Sequence, residues 1–122
     1  MPARTPAEIC PLFQRAMADG DLAALLQVYD PEAVFVQESG EVTKGRDALR
    51  KVLTPLAASK PRFDYEILQI AETDGVALMH TQWTVSVSGA PPRRQHAIEV
   101  ARRQPDGSWR WLIGDPFTVD KG

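Results

Sequence analysis

The stretch Glu99–Phe117, EVARRQPDGSWRWLIGDPF, decides the fold. On both sides of Gln104-Pro105-Asp106-Gly107-Ser108 it alternates with the two-residue period of a half-buried strand, so it reads as a hairpin. Pro105 has no N–H to complete the narrow pair that a two-residue loop requires. Pro, Asp and Gly therefore predict a three-residue loop, a type I turn closed by a glycine bulge. Gln104 then faces Ser108, and the pairing continues with Arg103 against Trp109, Ala101 against Trp111, Glu99 against Ile113 and Ala97 against Asp115, all on one side of the sheet. Glu99 and Asp115 become diagonal neighbours with Cα atoms about 7 to 8 Å apart. A slip of one residue would separate the two carboxylates.

Working upstream, Arg62–Thr73, Val76–Ser88, Arg94–Gln104 and Ser108–Phe117 read as four strands of an antiparallel meander. Thr73-Asp74-Gly75-Val76 is a two-residue hairpin that sets Thr73 against Val76. Counted back from it, Ile70 faces Met79, Leu68 faces Thr81 and Glu66 faces Trp83. One face then carries Leu68, Ile70, Met79, Thr81, Trp83 and Val85, and the other the more polar Tyr65, Gln69, His80, Gln82 and Thr84.

In the first half of the chain the period lengthens. Ile9, Leu12, Phe13, Ala16 and Met17, then Leu22, Leu25, Leu26 and Tyr29, then Leu49, Val52, Leu53 and Leu56 each form the stripe of a helix lying on a core. The first opens on Thr5, Pro6 and Glu8 as a capping box and ends at Asp19-Gly20; Pro11 bends its first turn or moves its start to Cys10. Asp21 caps the second helix, and Asp30-Pro31 ends it. Ala33–Gln37 and a shorter piece around Val42 read as strands. Helices followed by a meander make an α+β fold, with the helices on one face of a curved sheet.

The chain has 122 residues, 43% of them apolar and 25% charged, which fits one soluble globular domain. No apolar run approaches a membrane span, and 14 basic against 16 acidic residues leave no excess for a phosphate backbone. Neither membrane nor nucleic acid is an expected partner. The single cysteine, Cys10, excludes an internal disulfide framework and fits a reducing compartment. No secretory leader is visible in MPARTPAEIC, so a cytoplasmic location is expected. His and Cys spacing offers no metal site, and the glycine fingerprints of phosphate and dinucleotide binding are missing, so no metal or cofactor is expected.

The stretches GDLAALLQVYDPEAVFV, KGRDALRKVL and EVARRQPDGSWRWLIGDPF, with this order of elements, resemble SnoaL-like and ketosteroid-isomerase-like members of the nuclear-transport-factor-2-like superfamily. The resemblance runs from about Thr5 to Phe117 and treats residues 1–122 as a single domain. It implies a cone in which a bent antiparallel sheet wraps around a long helix and leaves a mostly apolar pocket. It also implies a homodimer formed through the sheet. Aligned on the GDL motif, the general-base position of ketosteroid isomerases is taken by Gln37 and their oxyanion tyrosine by Phe13, while their neutral-acid position matches Glu99. Ketosteroid isomerisation itself is therefore not expected. The superfamily hosts many chemistries and many non-catalytic members.

Glu99 and Asp115 are the candidate catalytic residues. Beside Trp83 and Trp111, burial raises a carboxyl pKa, and a second carboxylate drives the two values apart. Such a pair suits an isomerase, dehydratase or hydrolase that needs no cofactor. In the plainer reading, Glu99 pairs with an arginine such as Arg103 and Asp115 caps a turn, leaving a binding or dimerisation module. Phe13, Met17, Tyr29, Phe35, Gln37, Leu53, Met79, Thr81, Trp83, Trp111 and Ile113 are expected to line a pocket for a small apolar molecule. By strand parity His80 and His96 face away from it. Ile98, Val100 and Leu112 give the last two strands a second apolar face, which a homodimer would cover.

Overall fold

The computed structural model describes residues 2–121. A 3-10 turn at Pro6–Glu8 leads into α1 (Ile9–Asp19), so the conflict at Pro11 resolves into a change of helix type. Pro11 is then the third residue of α1, where a backbone N–H has no helical partner to lose. Thr5 makes no side-chain cap, whereas Glu8 Oε1 accepts from the Arg4 N–H at 2.7 Å, so the expected capping box is replaced by this single contact. The second helix, α2 (Leu22–Gln27), begins at Asp21, whose Oδ1 accepts from the Ala24 N–H at 3.0 Å.

That helix is shorter than its apolar spacing predicts. Tyr29 and Asp30 belong instead to β1 (Tyr29–Val36), because the backbone at Val28 and Tyr29 is captured by the last strand: Trp111 N–H donates to the Val28 carbonyl at 2.8 Å, and Tyr29 pairs with Trp111. Pro31 falls in the irregular stretch between Tyr29 and Val34, where its missing N–H leaves no ladder bond unmade. A short β2 (Val42–Lys44) and α3 (Arg46–Ala58) follow. The meander is β3 (Arg62–Thr73), β4 (Val76–Ser86), β5 (Arg93–Arg103) and β6 (Trp109–Asp115), and the chain closes with the short α4 (Thr118–Lys121).

The six strands form one curved sheet in the order β2-β1-β6-β5-β4-β3. All pairs are antiparallel except β1 beside β6, which is parallel. The helices cover one face. Ile9 and Met17 of α1, Leu25 of α2, Leu49 of α3 and Met79 of β4 are fully buried between helices and sheet.

Both hairpins have the turns that their sequences demand. Asp74 and Gly75 take positive φ of 46° and 77° and set Thr73 against Val76. Gly107, at φ 86°, closes the three-residue loop, with Gln104 N–H bonded to the Ser108 carbonyl at 2.7 Å. Beyond the turns, each pairing is interrupted by one extra residue. Leu68 is bulged out between Ile67 and Gln69, so Ile67 rather than Leu68 faces Thr81, and Tyr65 rather than Glu66 faces Trp83. Leu112 is bulged out likewise, so Val100 pairs with Ile113, Glu99 with Gly114 and Ile98 with Asp115. Each bulge reverses the alternation beyond it. Leu68 and Ile113 thereby turn outward, 48% and 38% exposed. No helix among the described residues is long and apolar enough to cross a membrane.

Candidate functional site

Between α1, α3 and the inner face of the sheet lies a cavity of about 400 Å³. Its wall is largely aromatic because α1 presents Phe13 to the two tryptophans that strand parity turns inward. The Phe13 ring lies 5.2 Å from that of Trp83 and 5.4 Å from that of Trp111, and Phe63 stands edge-on to it at 5.0 Å. Met17, Leu53, Leu56 and Val85 fill out the apolar lining, and Tyr29 packs against Trp111 with ring centres 5.8 Å apart. Ala97 lines the cavity as well, its small side chain leaving space level with Thr81.

Glu99 is the acid inside this wall and is only 6% exposed. Its neighbours across the strands are Met79 and Gly114, so neither side brings a counter-charge. Its Oε1 accepts from Thr81 Oγ1 at 2.8 Å, and Thr81 Oγ1 accepts in turn from Trp83 Nε1 at 2.8 Å. Burial pushes the Glu99 pKa up to about 7, while the hydrogen bond from Thr81 and the Trp83 N–H behind that hydroxyl pull the other way. Desolvation wins because a lone carboxylate has more to lose on leaving water than two neutral donors return. The negative field of Glu99 adds to burial in raising the hydroxyl pKa of Tyr29 and the thiol pKa of Cys10. Cys10 is fully buried and serves the core.

Asp115 does not join Glu99 in a pair. The Leu112 bulge sets it against Ile98, out of phase with Glu99. Asp115 contributes to the cavity rim, but its Oδ1 accepts from the N–H groups of Phe117 at 3.2 Å and Thr118 at 3.0 Å. Burial raises its pKa, yet these bonds outweigh burial and hold the carboxyl below its ordinary value. It is an ionised cap for the last turn.

Other candidates divide in the same way. Phe13, Met17, Tyr29, Phe35, Leu53, Trp83 and Trp111 surround the cavity. Met79 is wholly buried in the core and Thr81 meets the cavity only through Glu99. Ile113 faces outward, and Gln37 spends its amide on Glu41 and Thr43 at 3.0 and 2.7 Å. Neither histidine lines the cavity: His80 pairs with Ile98, and His96 Nδ1 lies 2.8 Å from Asp120 Oδ1. Among the described residues no three His, Cys, Asp or Glu side chains gather as metal ligands.

Sequence reasoning missed the mouth of the cavity. Arg93 is paired with Glu38 and lies 5.7 Å from the ring centre of Phe117, which stands edge-on to Phe35 at 6.4 Å. Lys121 donates to the Glu38 carbonyl, and Asp120 accepts from the His96 N–H at 3.0 Å. These contacts join residues far apart in the chain, and no local spacing announces them. Phe63 was legible in the alternation of β3, had the bulge at Leu68 been recognised.

Comparison with known proteins addresses the fold. The chain is similar to a protein from Thiobacillus denitrificans proposed to be a calcium/calmodulin-dependent protein kinase type II association domain, at 17% identity and TM-score 0.80, covering 97% of this chain and 99% of that one. It is similar to a ketosteroid isomerase-like protein from Erwinia carotovora atroseptica at 17% identity and TM-score 0.70, with 89% of each chain covered. It is also similar to a protein from Streptomyces avermitilis proposed to be a dehydratase of the NTF2-like family, at 19% identity and TM-score 0.71, again with 89% of each chain covered. A search of curated proteins finds no match. At these identities the three likenesses speak for the fold alone. The profile that matches residues 12–111 does more, and by it the chain belongs to the SnoaL-like domain family.

Proposed function

We propose that this protein binds a compact, flat, neutral molecule that is largely apolar and carries one hydrogen-bond-accepting oxygen, such as an aryl ketone. The observation that carries this is Glu99, an acid that burial pushes up to about 7 among the aromatic rings of the cavity interior, with Asp115, Arg93 and Glu38 kept to its rim and mouth. Below pH 7 its protonated carboxyl is a donor in a dry aromatic box, and a carbonyl is the ligand group that satisfies it without bringing in a charge. The volume of about 400 Å³ suits a two-ring molecule.

Binding of a naphthyl methyl ketone, followed by tryptophan fluorescence, tests the reading. If only protonated Glu99 binds, affinity falls about tenfold between pH 6 and pH 8 for a group titrating near 7, and Glu99→Gln abolishes this dependence. Lack of saturable binding, or equal and pH-independent binding of naphthalene, would overturn it. A second reading rests on the same pKa: a carboxyl near 7 is matched to proton transfer beside a carbonyl, so the site also supports cofactor-free isomerisation or dehydration by Glu99 alone. Exchange of the α-protons of the bound ketone with solvent deuterium, lost in Glu99→Gln, distinguishes catalysis from binding.

The outer face of the sheet supports a homodimer. Ala71, Leu78, Val100, Ile113 and Val34 stand in one row across β3, β4, β5, β6 and β1, with Leu78 42% and Ile113 38% exposed. A row that spans the sheet is self-complementary about a two-fold axis, and the proposed occupant is a second copy of this chain. Sedimentation should show a dimer at micromolar concentration that Leu78→Glu dissociates. A wild-type monomer at tens of micromolar would refute it.

A further inference from the structure

The hydrogen bonds behind Glu99 run in only one direction. An indole N–H donates and never accepts. The 2.8 Å bond from Trp83 Nε1 therefore occupies the Thr81 oxygen as acceptor. A hydroxyl oxygen keeps a second lone pair, but Thr81 has one proton to give. Glu99 Oε1, at 2.8 Å, is the one acceptor its hydroxyl meets among the described residues, so turning that proton away would leave it buried and unpaired. Thr81 and Trp83 are 1% and 3% exposed, so no bulk water competes to reverse the chain. Oε1 is thus an acceptor whether Glu99 is ionised or neutral. The proton of the neutral acid belongs on Oε2, which has no hydrogen-bond partner among the described residues. Nor is Oε2 sealed in, since the buried side-chain polar atoms without partners are Arg46 Nε and Trp111 Nε1.

We propose that Thr81 and Trp83 are positioning residues for Glu99: their one-way chain fixes Oε1 as a permanent acceptor and commits Oε2, with its proton, to the ligand. The consequence is a choice of ligand chemistry. With Glu99 neutral the cavity presents a donor, so it takes a carbonyl in preference to an amine or an alcohol proton. With Glu99 ionised the preference reverses. The proposal rests on Glu99 being the group that meets the ligand, but the chain itself is tested in the free protein.

Carboxyl NMR of carbon-13-labelled glutamate gives the Glu99 midpoint in wild type, Thr81→Val, Thr81→Ser and Trp83→Phe. A hydroxyl bonds more strongly to a carboxylate than to a neutral acid, so Thr81→Val should raise the midpoint by about one unit, with Thr81→Ser restoring it. Trp83→Phe should raise it by less, because the hydroxyl remains but is no longer oriented. At pH 6, Thr81→Val should also weaken binding of the naphthyl methyl ketone several-fold, again restored by Thr81→Ser. A Thr81→Val midpoint equal to wild type, or a Thr81→Ser midpoint equal to that of Thr81→Val, overturns the proposal. Should Thr81→Val not fold, an unchanged midpoint in Trp83→Phe does so. Midpoints that shift as expected in a protein that binds no ketone uphold the chain and refute the ligand reading alone.

Discussion

Replacing Glu99 with Gln should make the protein more stable, and increasingly so as pH rises. In the folded state the carboxyl titrates near 7, against an ordinary value of 4.5, because burial penalises the charge. Between those two values the folded chain holds a proton that the unfolded chain has released. Stability contributed by this group is therefore complete below pH 4.5 and lost as pH rises through 7. Each unit of the gap is worth about 1.4 kcal/mol, so the accumulated loss is about 3 kcal/mol at pH 8. Gln reproduces the neutral acid: its carbonyl accepts from Thr81 and its amide faces the cavity as a donor. Urea denaturation of wild type and Glu99→Gln, at matched protein concentration from pH 4 to pH 8, isolates the effect, since every other titrating group is common to both. With a urea slope of about 1.5 kcal/mol per molar, the midpoints should separate by about 2 M over that range. A separation that stays constant with pH would mean that Glu99 is not desolvated, and the case for an acidic donor in the cavity would fall with it.

Asp30 should behave in the opposite sense. It is buried, which raises its pKa, but bonds from Gln104 Nε2 at 2.9 Å, the Glu32 N–H at 2.9 Å and Arg102 Nε at 3.0 Å hold it below the ordinary 3.8. Asp30→Asn should cost about 2 kcal/mol at pH 7 through the weakened bonds to Arg102 and Gln104, and the cost should shrink as pH falls below 3.8 and the wild-type carboxylate protonates; a cost independent of pH would refute the charge's role. Phe117→Ala, which removes the edge contact to Phe35 and the Arg93 stack at the cavity mouth, should speed dissociation of the naphthyl ketone about tenfold in stopped flow; an unchanged rate would mean that ligands enter elsewhere. Pro55 is exposed within α3 and denies the Lys51 carbonyl its helical partner, so Pro55→Ala should stabilise by about 1 kcal/mol in the same urea assay. A loss of stability instead would show that the packing of Leu53 depends on the backbone that Pro55 imposes.

What the sequence reveals is bounded by how far a register can be carried from its turn. Asp74-Gly75 and Pro105-Asp106-Gly107 set the pairs next to them, and Arg103 does meet Trp109, just as Ile70 meets Met79. Leu68 and Leu112 are apolar residues in apolar strands, and nothing local marks either as the residue that will be extruded. A bulge bends and twists its strand, so its place is set by the curvature of the whole sheet and not by local spacing. Glu99 was legible as an inward acid because the bulge at Leu112 belongs to β6 and leaves the alternation of β5 unbroken from Arg103 to Glu99. Asp115 was not, because it lies beyond that bulge. Tyr29 fits the helical stripe of α2 by spacing, whereas the partner that claims it for the sheet, Trp111, lies 82 residues later.

The two bulges give the sheet something like a reading frame. Pairing Leu112 with Val100 instead of extruding it would leave every residue of β6 in place yet exchange its faces downstream, bringing Asp115 inward and sending Gly114 out. The chain between Ala101 and Glu99's partner is therefore counted as much as composed. A related chain whose β6 ran regularly through residue 112 would carry a second acid into its cavity, and one whose β3 ran regularly through residue 68 would put Glu66 against Trp83. In this fold a change in chemistry needs no substitution at the site at all, only the straightening of a bulge at one of two hydrophobic residues outside it, whereas deleting either residue would leave the pairs beyond it as they are.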